Sequence, residues 1–178
     1  MPATIILAGG CFWCTEAAFE QLAGVSDVTS GYAGGSKETS NYKRVCDGDT
    51  GHAEVIRVTY DPTVISLDTL LDVFFDAHDP TTLNRQGADM GTQYRSAIFY
   101  ADESQKQAAE QKIQALTEKK HFTSPIVTKL EPLVEFFPAE DYHQGYAQQH
   151  LDQPYIQGAA IPKACKIRAK YAELIQRE

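Results

Sequence analysis

The sequence predicts an α+β fold, with an antiparallel or mixed sheet and its helices on one face. Three observations carry this. Short apolar runs alternate with helix-compatible stretches in the order β-α-β-loop-β-α-loop-β-α-β-β-α-tail-α. Residues 53–60 alternate as a half-buried strand does. Glu54, Ile56, Val58 and Tyr60 share the more apolar face, and Val55, Arg57 and Thr59 the other. Leu67, Leu70, Leu71, Phe74, Phe75 and His78 recur at helical spacing behind Ser66, which has the chemistry of an N-cap.

Residues 4–8 are apolar and read as a buried first strand, turned by Gly9-Gly10. Residues 15–22 fit a short helix presenting Ala18, Phe19 and Leu22 inward, and residues 25–32 fit a strand ended by the cluster Gly31-Tyr32-Ala33-Gly34-Gly35. Residues 36–52 form a polar loop with Asn41-Tyr42, Cys46 and the turn Asp47-Gly48-Asp49-Thr50-Gly51. A loop of this length in a compact domain is usually functional. Asp61-Pro62 ends the next strand and Asp79-Pro80 the helix begun by Ser66. Residues 81–93 form a second polar loop, followed by a strand at 95–100. Asp102 with Gln105 suits a capping box for a helix to about Lys119. Strands follow at 126–130 and 133–137, broken at Pro132. Residues 139–150 read as a short helix carrying Tyr142, His143 and Tyr146, residues 152–162 as irregular, and residues 163–176 as a basic terminal helix. The chain shows no repeat or linker, so one domain over 1–178, with a tail from about 151, is expected.

A net charge of −8 argues against nucleic-acid binding and anionic membrane surfaces. No apolar run approaches membrane-spanning length, and the first one lacks a basic flank, so neither a span nor a signal peptide is expected. The expected location is therefore cytoplasmic. There, 4 cysteines serve as thiols or a catalytic pair rather than as a disulfide framework.

The chemistry concentrates in Gly9-Gly10-Cys11-Phe12-Trp13-Cys14. Cys11 stands where a strand turns into a helix N-terminus, whose free amides and dipole favour a thiolate. Phe12 and the only tryptophan, Trp13, supply an apolar wall, and Cys14 follows one helical turn on. Three readings compete. The first is an activated nucleophile with a resolving partner. The second is half a zinc site, for which Cys46 and His52 are on offer but no second paired motif exists. The third is a thioredoxin-type dithiol, which lacks its usual proline between the cysteines and would have to accommodate the bulk of Phe12-Trp13.

Glu54 has apolar face mates, which point to a partly buried acid able to hold a proton near neutral pH. Tyr42 and Tyr94, in the two long loops, would supply neutral O–H donors beside such an acid. Taken alone, Asp89 and His143 read as structural hydrogen-bonding residues, and the charges of residues 163–170 as a solvated helix face.

Gly10-Cys11-Phe12-Trp13, Gly31-Tyr32-Ala33-Gly34-Gly35, Thr50-Gly51-His52-Ala53-Glu54, His78-Asp79-Pro80, Gly91-Thr92-Gln93-Tyr94-Arg95-Ser96 and Ala139-Glu140-Asp141-Tyr142-His143-Gln144 together resemble the peptide methionine sulfoxide reductase A family. The resemblance spans roughly residues 4–170. It implies a two-layer α+β sandwich around a ferredoxin-like mixed sheet, with an irregular C-terminal tail ending in a helix. It implies reduction of methionine-S-sulfoxide, free or in proteins, by a chain that is monomeric and uses no cofactor or metal, with thioredoxin as reductant. By similarity, Cys11 attacks the sulfoxide sulfur, Glu54 protonates its oxygen, and Tyr42 and Tyr94 donate hydrogen bonds to it. Phe12 and Trp13 hold the methyl group, and Asp89 lines the site.

Two departures from the family pattern touch the recycling step. Most members carry glycine where this chain has Cys14, and many carry a resolving cysteine after a Pro-Tyr-like stretch. Here Pro154-Tyr155 is followed by Ile156, and the tail holds only Cys165. Cys14 is therefore the first candidate to resolve a Cys11 sulfenic acid, because its ring is short. Cys165 is the second, directly or by exchange through Cys14, and Cys46 is a bystander.

Overall fold

In the computed structural model, which describes residues 1–176, the chain runs β1 (Ala3–Gly9), α1 (Phe12–Phe19), β2 (Val25–Ala33), α2 (Tyr42–Cys46), β3 (Ala53–Tyr60), α3 (Leu67–Ala77), β4 (Arg85–Gln86), β5 (Asp89–Met90), β6 (Ser96–Tyr100), α4 (Glu103–Glu118), β7 (Lys129–Pro132), β8 (Phe136–Pro138), α5 (Tyr146–Gln149) and α6 (Ile161–Lys170). Six strands form one sheet in the order β7-β6-β1-β3-β2-β8. All neighbours are antiparallel except β6 and β7. The β1–α1–β2 crossover leaves a slot that β3 fills, and the β3–α3–β6 crossover leaves one that β1 fills. This interleaving is the ferredoxin-like arrangement.

The pleat decides which side chains meet. Ile5 faces Val58 and Leu7 faces Ile56 across β1 and β3. These residues point to the side covered by Phe12, Phe19 and Leu22 of the α1 region, Leu70, Leu71 and Phe74 of α3, Leu116 of α4 and Ile167 of α6. Each such burial contributes about 1.5–3 kcal/mol. The opposite face has a smaller core of Ile6, Ala8, Ala53, Val55, Ala97 and Phe99, covered by Leu133 and Phe136. The helices thus lie on one face, as the element order predicts. Capping follows the sequence too: Thr69 N–H donates to Ser66 Oγ at 3.1 Å and Gln105 N–H to Asp102 Oδ1 at 2.9 Å.

The differences from expectation are local. The first polar loop contains α2, capped by Asn41, whose Oδ1 accepts from Arg44 N at 3.0 Å. The second contains the β4–β5 hairpin, turned at Gly87-Ala88. Residues 139–150 are not one helix: Gly145, at φ +64°, interrupts them before α5. The tail is less irregular than its composition suggests. Ile156–Ala160 is a π-type turn running straight into α6, because Ile156 and Ala160 are both fully buried. The terminal helix ends at Lys170, and Gln176 Nε2 then binds the carbonyls of Leu22 and Val25.

Candidate active site

The site lies at the carboxyl end of β1, where the chain turns into α1. Gly10 makes that turn at φ +93°, and a Cβ there would lie 2.6 Å from Gln86 Cγ. Gln86 is itself pinned by both ends of its amide to the Asp79 backbone, at 2.9 and 3.0 Å. Larger residues at position 10 would therefore displace the hairpin as well as strain the backbone. Behind the turn, His78 Nδ1 contacts Phe74 O at 2.6 Å and its Nε2 contacts Ser96 Oγ at 2.7 Å. Burial lowers its pKa to about 4, so it packs there as a neutral ring.

Cys11 occupies the N-cap position of α1 and is 7% exposed. The helix N-terminus does not make it acidic. Burial, its hydrogen bond with Cys14 and the charge of Glu54 hold the Cys11 thiol well above the usual thiol range. The first helical amide is turned to the acid, since Phe12 N–H donates to Glu54 Oε1 at 3.1 Å. The helix N-terminus is thus divided: the Phe12 amide serves the carboxylate, while the Trp13 amide lowers the Cys11 pKa without offsetting its burial. Glu54 is 1% exposed, as its strand face predicts, and burial raises its pKa to about 8. It is therefore a carboxylic acid that keeps its proton at neutral pH beside a buried cysteine.

Cys14 is 1% exposed and has the opposite bias. The hydrogen bond shared with Cys11 lowers its pKa, helped by Lys163 and Tyr155. Cys14 Sγ lies 3.7 Å from Tyr155 OH, which donates to Asp89 Oδ2 at 2.5 Å. Asp89 so belongs to the site through Tyr155.

Tyr42 and Tyr94 are delivered by loops fastened to each other and to the sheet. Thr92 Oγ1 binds Gly48 O at 3.1 Å, and the Arg95 guanidinium spans Thr92 O, Gly51 O and the Glu131 carboxylate at 2.9–3.1 Å. Tyr42 N donates to Glu140 Oε2 at 3.1 Å. Burial pushes both phenols upward, reinforced by Cys46 and Glu54 at Tyr42 and by Glu54 and Asp89 at Tyr94, so both remain neutral donors.

Phe12 is fully buried against Tyr32 and His143, with ring centroids at 5.7 and 5.0 Å. Trp13 is stacked on Tyr146 at 3.9 Å and 8°, meets Tyr155 edge-on at 5.9 Å, and donates from Nε1 to His143 Nδ1 at 3.0 Å. This bond leaves the neutral ring's proton on His143 Nε2, which is buried without a partner.

The structure thus brings together Cys11, Phe12, Trp13, Cys14, Tyr42, Glu54, Asp89 and Tyr94. Cys165 is elsewhere: it is exposed on α6, in a groove with Ala17, Gln21 and Arg168. Cys46 is exposed at the end of α2. The sequence reading missed Tyr155 and Tyr146 as walls of the site and left His143 a structural role. Their signal was faint, since each lies far from Cys11 in a segment that reads as plain helix or irregular tail.

A family model described as "Peptide methionine sulfoxide reductase" matches residues 3–175. A peptide methionine sulfoxide reductase MsrA of Chromobacterium violaceum is 54% identical over 171 residues, covering 96% of this chain and 97% of its own length. Among solved structures, Mxr1 from Saccharomyces cerevisiae in reduced form aligns with a TM-score of 0.81 at 39% identity, over 91% of this chain and 90% of that one. The same yeast protein in complex with Trx2 aligns with a TM-score of 0.58 at 31% identity, over 82% and 84%.

Proposed function

The chain belongs to the peptide methionine sulfoxide reductase family and reduces methionine sulfoxide to methionine; from that premise we propose how its own residues divide the work. The observation that carries the reading is Glu54, a buried acid with a pKa near 8, hydrogen-bonded to the amide that follows Cys11.

A sulfoxide oxygen leaves only when protonated. Cys11 as thiolate attacks the sulfur, and Glu54 delivers its proton to the oxygen. Tyr42 and Tyr94 hold that oxygen with neutral O–H groups, which gain strength in a site closed to water. The methyl group rests against Phe12 and Trp13. The protonated oxygen then passes from the substrate sulfur to the Cys11 sulfur as the new sulfur–sulfur bond breaks. Methionine departs reduced by two electrons, and Cys11 is left oxidised as a sulfenic acid. Cys14 then attacks the Cys11 sulfur, water leaves, and a Cys11–Cys14 disulfide forms. A dithiol takes that disulfide back to two thiols and is itself oxidised. The Mxr1 complex with Trx2 supports thioredoxin in this role. Cys165, in its separate groove, would enter only by later exchange. Asp89 serves by holding Tyr155 against Cys14.

A monomer of one catalytic domain over 1–178, working in the cytoplasm on the S epimer, completes the proposal. Four free thiols suit a reducing compartment, and no helix among the described residues is long and apolar enough to cross a membrane. A plain dithiol–disulfide exchanger would need no buried acid, so Glu54 favours the reductase.

Incubation with racemic methionine sulfoxide, thioredoxin and its reducing system tests this. The S epimer is expected to disappear and the R epimer to remain, as read by chiral chromatography. Equal consumption of both would refute the stereochemical assignment.

A further inference from the structure

Glu16, on α1, is a buried carboxyl group besides Glu54, and the proposed reaction has no use for it. It is 4% exposed, and burial raises its pKa to about 7. Glu16 Oε2 accepts from Ser30 Oγ at 2.5 Å, while Oε1 accepts from Gly145 N. The adjacent residue is held as firmly. Gln144 Oε1 accepts from Ser30 N, and Gln144 Nε2 donates to Ser30 O, both at 2.9 Å, with a further bond to Ala139 O at 3.2 Å. Two consecutive residues of one loop are therefore tied to β2 and α1 at the same point.

Those two residues sit between two of the partners of Trp13. His143, just before them, accepts the indole N–H. Tyr146, just after them, stacks on the indole face. Gly145 is also the N-cap of α5, so its N–H is one of the helix-terminal donors with no intrahelical partner. Glu16 supplies an acceptor from a distant element. Without it a half-buried N–H and a buried hydroxyl lose their partner, and the loop has reason to reorganise.

Resting on the reductase reading, we propose that Glu16 is a positioning residue: with Gln144 it fixes the Gly145 bend, and thereby the aromatic wall against which the substrate methyl is received. It touches neither Cys11 nor the transferred oxygen. Its loss therefore weakens substrate capture more than proton transfer or sulfur attack.

The test uses Glu16→Ala, Glu16→Gln and Ser30→Ala in the full chain. Trp13 is the only tryptophan, so intrinsic fluorescence reports this wall alone. Glu16→Ala is expected to red-shift Trp13 emission, increase its quenching by acrylamide, and raise KM about tenfold, with a smaller change in kcat. Glu16→Gln retains a carbonyl acceptor and is expected to restore most of both signals. If Glu16→Ala does not fold, Ser30→Ala, which removes one donor only, is expected to shift emission and KM in the same direction. Unchanged emission and KM in the folded variant would overturn the proposal. So would a fall in kcat alone, or failure of Gln to rescue. The fluorescence readout needs no turnover, so an inactive wild-type chain would refute the reductase reading while leaving the positioning role open to measurement.

Discussion

Replacing Glu54 with Gln is expected to slow the first turnover by about 10²–10⁴-fold, the usual contribution of a positioned general acid. Gln keeps the shape and can still accept from Phe12 N–H, so the fold and the Cys11 turn survive; only the proton is missing. The pH dependence separates this from a packing effect. The reactive form of the free enzyme needs Glu54 protonated and Cys11 ionised. Glu54 has a pKa near 8 and Cys11 is held above the usual thiol range. The reactive form thus has one proton between the two groups, the same number as the more populated form with Glu54 ionised and Cys11 neutral. The kcat/KM of the wild type therefore rises as the first proton leaves and falls at higher pH as the second leaves, with apparent values that belong to the pair. In Glu54→Gln the descending limb disappears, because no acid remains to be lost. Stability shifts too. A carboxyl whose folded pKa lies above its unfolded value favours folding most below the unfolded value, and that contribution is lost as pH rises through about 8. The Gln variant should therefore gain on the wild type in thermal scans above that pH. A variant with wild-type rate and a retained descending limb would remove Glu54 from the mechanism.

Cys14→Ser is expected to abolish thioredoxin-dependent turnover while one methionine per enzyme still forms. Cys14 is buried beside Cys11 and shares a hydrogen bond with it that already draws proton density towards Cys11. Residues one helical turn apart bring their side chains within the range a disulfide requires, after small adjustments. The lowered pKa of Cys14 gives the second step a thiolate without a separate base. The residue after Pro154-Tyr155, where the family resemblance implied a resolving cysteine, is Ile156, fully buried against this pair. A packed apolar side chain at that point leaves Cys14 as the thiol in place. A burst of methionine followed by silence, measured with thioredoxin present, is the expected trace. Sustained turnover in the variant would transfer the role to Cys165.

Much of this was legible in the residues because it is local. The alternation around Glu54 predicted its burial, and the stripe behind Ser66 and the Asp102 cap predicted α3 and α4. Nucleophile, aromatic wall and second thiol are consecutive residues. What escaped depends on long-range assembly. The helix position of Cys11 does not make it acidic, because burial, the hydrogen bond with Cys14 and the charge of Glu54 outweigh the Trp13 amide of the helix N-terminus. Tyr146 and Tyr155 reach the site only through the Gly145 bend and the π-type turn, to the first of which Glu16 is bonded, and neither has a periodic signature. Helix α2 was five residues hidden in a polar loop, announced only by Asn41.

The most direct measurement is thiol mapping by mass spectrometry after one equivalent of methionine sulfoxide is added to the reduced chain without any reductant. The account predicts one methionine released and a Cys11–Cys14 disulfide, with Cys46 and Cys165 still free. A disulfide joining Cys11 to Cys165, or four thiols left unoxidised, would contradict it.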